Sequence, residues 1–126
     1  MVFIDTNILL RYILKDNLEL AEQASCIISE NKTICLNAVV YEAIHVMKNV
    51  YHIERTHIAD ELYGLFEDDI IGSENKKVIL KTLTIFKETS LDFIDCLLIA
   101  EYMIHGTAVA SFDKKLKNYI KRLSIC

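Results

Sequence analysis

Proline and tryptophan are absent from this 126-residue sequence, and glycine occurs only three times. So few turn-makers favour long helices. An all-β sandwich, which needs a turn about every 8–12 residues, is close to excluded. Long apolar runs are missing as well: the longest, Cys96 to Ala100, falls far short of the ~20 residues that span a bilayer, so no membrane association is expected. No basic leader precedes Asp5, so no secretory segment is expected. The cysteines (Cys26, Cys35, Cys96 and Cys126) stand far apart with no CxxC pair, and the histidines show no HExxH spacing. Reduced thiols in a cytoplasmic protein are therefore expected, and a structural zinc is not. The sequence also contains no P-loop, no GxGxxG, no kinase signature and no GxSxG, which leaves nucleotide cradling and serine hydrolysis without support.

What is present is enough for one domain with a real core, since 52% of the residues are apolar. Acids outnumber bases by 18 to 14, a formal net charge of −4, which argues against coating nucleic acid or membrane by bulk charge. The charge is uneven. Residues 1–72 hold 5 bases and 12 acids, whereas residues 73–126 hold 9 bases and 6 acids. Lys114, Lys115, Lys117, Lys121 and Arg122 crowd the last stretch, either as the solvated face of a helix or as a patch for phosphates.

Short β-like runs alternate with helical periodicity. Strands are expected at Val2–Ile4, Thr33–Leu36, Ile70–Ile71 and Thr107–Phe112, with a further edge strand at Leu123–Ile125. Helices are expected over 8–14, 18–29, from Asn37 to about Tyr51, over 56–67, from a Ser73 cap through Phe86, from Ser90 or Asp92 to a Gly106 stop, and in a short basic segment after Asp113. The pattern predicts an α/β fold: a parallel sheet of four to five short strands flanked by helices on both faces, in a single domain over 1–126.

Four carboxylates stand out against this frame. Asp5 and Asp113 fall at the carboxyl ends of strands, where open α/β sheets bind ligands. Glu42 and Asp95 have mainly apolar neighbours one helical turn away, with no Lys or Arg on the same face. Burying a lone carboxylate costs several kcal/mol unless something pairs with it. Asp5 and Asp113 have an alternative use as helix caps, and Asp92 reads as an N-cap before it reads as a ligand. One shared metal site accounts for all four at once. Oxygen-only ligands without nearby His or Cys fit Mg²⁺ or Mn²⁺. Such sites serve mainly phosphoryl chemistry, which points to hydrolysis of a phosphodiester by metal-activated water.

In order and spacing, FIDTNILLRYIL, the isolated Glu of VVYEA, SLDFIDCLLIAEY and ASFDKKL resemble the PIN-domain endoribonucleases over nearly the whole chain. The length is most similar to their VapC-type branch, the ribonuclease toxins of type II toxin–antitoxin pairs. The resemblance implies a PIN-like fold and an acidic quartet at Asp5, Glu42, Asp95 and Asp113. Asp5 and Asp95 would be the principal metal ligands, with Glu42 and Asp113 completing the pocket directly or through water. It further implies bracing polar residues at Asn7 and Ser111, an RNA substrate, a homodimer, and an antitoxin whose tail blocks the cleft. Family members more often carry Thr at the Ser111 position, and a hydroxyl is kept here. Asp92 stays outside the core set, and Arg11 is expected to have a surface role.

Three alternatives are set against this. A catalytically silent PIN-like module that binds RNA or protein would have no use for four mutually repelling acids. A phospho-acceptor receiver domain needs two adjacent acids near the first strand and a Lys after the last, but Asp5 stands alone and Asp113 occupies the late position. A HAD-type phosphatase needs a second Asp two residues after the first, where this chain has Asn7.

Overall fold

In the computed structural model, residues 1–125 are described, apart from the side chains of Ser124 and Ile125; Cys126 lies outside the described residues. The chain alternates β1 (Val2–Phe3), α1 (Thr6–Leu14), α2 (Leu18–Glu30), β2 (Thr33–Cys35), α3 (Asn37–Asn49), α4 (Arg55–Glu67), β3 (Gly72–Ser73), α5 (Lys76–Glu88), α6 (Phe93–His105) and α7 (Lys114–Ile125). The strands form a parallel sheet in the order β1-β2-β3, with Val2 opposite Thr33, Ile34 opposite Gly72 and Cys35 opposite Ser73. Each parallel neighbour is reached through a pair of helices, the long crossover that parallel pairing requires. Because all strands point the same way, Asp5, Leu36 and Glu74 emerge from their carboxyl ends on one rim.

The core joins the sheet to the helices that flank it. Ile4, Cys35 and Ile71 pack with Leu9, Val40, Met47, Ile58, Leu62, Phe66, Ile79, Phe86, Phe93 and Ile99 in one buried cluster. Helix α5 packs against both α4 and α6, while α1 packs against α2 and α3. Gly72 is required by the sheet: a Cβ there would sit 2.6 Å from the Thr33 carbonyl oxygen. Gly106, at φ +68°, stops α6 in the left-handed conformation that glycine adopts without a steric cost.

The α/β class, the parallel sheet and the flanking helices are as expected from the sequence. Several details differ. Three strands are present among the described residues, not four or five. Thr107–Phe112 joins no ladder. Its Ala108 and Ala110 bury little and Phe112 is fully exposed, so pattern alone does not bring a pairing partner. The expected edge strand at Leu123–Ile125 is the last turn of α7. The third strand is Gly72–Ser73, with Ile71 buried just before it. Asn75, not Ser73, caps α5, its side-chain oxygen accepting from the Val78 amide at 3.1 Å. Nor does Asn37 cap α3. Leu36 takes the cap position, and the Asn37 amide donates instead to Glu74 Oε2 at 2.6 Å. A carboxylate from the end of the neighbouring strand thus serves the helix start.

Candidate active site

Two groups of acids stand at the strand rim and at the start of α6. In the first, the chain leaves β1 and turns at once into α1. Asp5 holds that turn, its Oδ1 accepting from the Ile8 amide at 3.0 Å. Glu42 lies on α3, one turn beyond Ala38. Asp5, Asn7 and Glu42 line one pocket of about 500 Å³ together with Thr6, Leu10, Ala38 and Val39. Asp5, Asn7 and Glu42 are all exposed.

The second group centres on Asp95, half-buried in the first turn of α6. Burial lifts its carboxyl above the ordinary aspartate range, and the negative charges of Asp113 and Asp92 lift it further. Asp92 occupies the N-cap position of α6 but makes no side-chain cap hydrogen bond, so the helix does not use its carboxylate. Asp113 does cap its helix: Oδ1 accepts from the Leu116 amide at 2.9 Å. The Asp113 amide in turn donates to Ser111 Oγ at 3.0 Å, which fixes the turn that presents the carboxylate.

Asp5 and Asp113 therefore act as caps through one oxygen each, and the cap leaves each carboxylate its second oxygen. The sequence-based expectation that four carboxylates are buried needs correction. Asp5, Glu42 and Asp113 are exposed, and only Asp95 is partly buried. Neighbours one turn along a helix define its face but not what covers that face, and here an open cleft does. None of the five acids forms an ion pair among the described residues. Nor, among those residues, do three or more Asp, Glu, His or Cys side chains converge on one ion position. Asp5 and Glu42 are brought together, as are Asp95, Asp113 and Asp92, but the two groups are not closed into one cage.

The sequence did not single out Arg55. Its Nε donates to the Phe86 carbonyl at 2.6 Å, Nη2 donates to the Leu91 carbonyl, and the guanidinium lies 3.6 Å from the centre of the Phe86 ring. Burial lowers its pKa, against the opposing pull of Cys96 and Asp92. Arg55 thus ties the start of α4 to the loop that carries Asp92, across more than 30 residues of sequence where no local pattern could reveal it. Arg11 is not the plain surface residue expected. It is half-buried and donates to Asp16 at 2.8 Å, while the Tyr51 hydroxyl donates to the other Asp16 oxygen. The Arg11 hydrogen bond leads in holding the Asp16 carboxyl below its usual range.

The donor chemistry fits a hard divalent cation: every candidate ligand is a carboxylate, and among the described residues none of them is paired with a cation. The open arrangement suits Mg²⁺ in particular, which keeps several waters and is commonly held by one or two carboxylates plus substrate phosphate. The chain belongs to the PIN domain family, whose family model matches residues 2–121. PIN domains are generally nucleases and typically use divalent metals. Comparisons with curated proteins and with solved structures gave no match. Among the described residues, no helix is long and apolar enough to cross a membrane.

Proposed function

We propose that this PIN domain is an Mg²⁺- or Mn²⁺-dependent endoribonuclease that hydrolyses RNA phosphodiesters, and that it is the toxin of a VapC-type toxin–antitoxin pair. Asp5 and Asp95 would hold the ion, with Glu42 and Asp113 completing the site directly or through water. Ser111 braces the Asp113 turn and Asn7 keeps the Asp5 pocket polar. When bound, the ion supplies an activated water and offsets charge on the phosphate. The reading rests most on Asp95, whose carboxyl is raised by burial and by two neighbouring acids with no cation paired to it. A fold has no use for that repulsion, whereas a metal site does. A homodimer, a cytoplasmic setting and an antitoxin segment closing the acidic cleft belong to the same reading and rest on the resemblance.

A second reading, a silent binding module, is favoured by the lack of any three acids converging on one ion position among the described residues. Cleavage of a mixed cellular RNA pool separates the two. The nuclease reading predicts discrete fragments in Mn²⁺, none in EDTA, and a loss of at least about a hundredfold in Asp95→Asn, the order seen when charge-stabilising groups are removed. Equal cleavage by wild type and Asp95→Asn would overturn this assignment of the site.

A further inference from the structure

A cavity larger than the acidic pocket lies elsewhere on the molecule. It is a groove of about 700 Å³ between the loop joining α5 to α6 and the outer face of α7. One wall carries Thr89, Ser90 and Leu91; the other carries Lys115, Tyr119, Lys121 and Arg122. Helical spacing sets the second wall. Lys115, Tyr119 and Arg122 recur at i, i+4 and i+7 on one face, and Lys121 follows Asn118 by three on its flank. Leu116 is buried on the adjoining face and anchors α7, while Lys115, Lys121 and Arg122 stay exposed.

We infer that this groove binds the backbone of a single RNA strand, with Lys115, Lys121 and Arg122 meeting phosphates and Tyr119 offering its ring to a base. The inference deepens the nuclease reading and rests on it for the identity of the polymer. Three observations carry it. First, Lys115, Lys121 and Arg122 have no ion-pair partner among the described residues, in a chain that is acidic overall. Second, the guanidinium of Arg122 lies 5.5 Å from the centre of the Tyr119 ring, so aromatic and cationic surface are offered side by side, as single-strand binding uses them. Third, both walls run straight into the acids. Asp92 follows Ser90 by two residues and Asp113 precedes Lys115 by two, and these are the acids whose charge acts on Asp95. A strand held in the groove therefore leaves it next to the acidic cluster. Among the described residues, Glu88 is the one acid lining the groove. Against three cations it leaves a net positive floor and repels a misplaced phosphate at that end.

The test is binding of a fluorescein-labelled single-stranded RNA, read by anisotropy in EDTA over a range of salt. Removing three phosphate contacts in Lys115→Ala/Lys121→Ala/Arg122→Ala should flatten the slope of log K against log salt by about 2, since each contact on a single strand contributes ~0.7. Affinity at moderate salt should fall at least about tenfold. Tyr119→Leu should weaken binding by about tenfold at an unchanged slope, and Tyr119→Phe should bind like wild type. The triple variant alters only exposed side chains, and its thermal midpoint verifies folding. Unchanged slope and affinity in the triple variant overturn the inference, as does a wild-type chain that binds no RNA. Charge-dependent binding of poly-glutamate without binding of RNA overturns it in favour of an acidic protein segment. The two proposals fail separately. A chain that binds RNA through these cations but cleaves none in Mn²⁺ loses the nuclease reading alone; one that cleaves RNA whether or not the cations are present loses the groove alone.

Discussion

Asp95 carries the electrostatic tension of the molecule. Its folded-state pKa is raised, so between the ordinary aspartate value and that raised value the native chain binds more protons than the unfolded one. Stability contributed by the protonated form is therefore lost as pH rises through this window, and at neutral pH the ionised side chain is a net cost. Asp95→Asn, which keeps the shape and removes the charge, should be at least as stable as wild type at pH 7 without metal. That difference should shrink as pH falls through the raised value and be lost below the ordinary aspartate value of about 3.9. Chemical denaturation at both pH values checks this, and a variant less stable at pH 7 would show that Asp95 has a structural partner. Asp16 has the opposite sign. Held low by Arg11, it contributes stability that disappears as pH falls below the usual carboxylate range. Asp95 has no ion-pair partner among the described residues, whereas Asp16 joins Arg11 of α1 to Tyr51 just beyond α3.

The elements show where local sequence decides and where it does not. Among the described residues the seven helices lie close to where periodicity places them, because a helix satisfies its backbone within its own segment; the caps of α3 and α5 and the end of α7 differ. The starts of α1 and α6 and the Gly106 stop are legible for the same reason. Strands depend on a partner: Thr107–Phe112 has the alternating pattern but no ladder, and β3 lies two residues further on than the expected Ile70–Ile71, directly after that pair. Of the candidate site, Asp5, Glu42, Asp95 and Asp113 stand out in the sequence by apolar neighbours and chain position. Their exposure was not, nor was the grip of Arg55 on two distant carbonyls, since both depend on tertiary contacts. Glycine substitutions check this account of the elements. Gly64→Ala, in helix α4 with open space around the new methyl, should stabilise the chain by about 0.5–1 kcal/mol. Gly72→Ala, which drives a methyl onto the Thr33 carbonyl, should destabilise it by about 1–3 kcal/mol. Urea titration of the pair suffices, and equal effects would contradict the sheet register.

For the whole molecule, charge is separated in space as it is along the chain. Acids gather at the carboxyl rim of the sheet and the start of α6, and unpaired cations face the neighbouring groove on α7. Under the proposed function, this arrangement would draw a polyanion to the groove and a dication to the adjoining acids. The central claim is that the acids form a metal site that exists only in the folded chain. Thermal unfolding with and without Mn²⁺, on wild type and Asp95→Asn side by side, tests it most directly. A folded-state ligand at about 100 times its dissociation constant adds ~2.7 kcal/mol, which is several degrees for a chain of this size. The account predicts that rise for wild type and little or none for Asp95→Asn, whose metal-free midpoint is no lower than that of wild type. A midpoint that Mn²⁺ leaves unmoved in both proteins would contradict the metal site and leave the silent binding module as the better description.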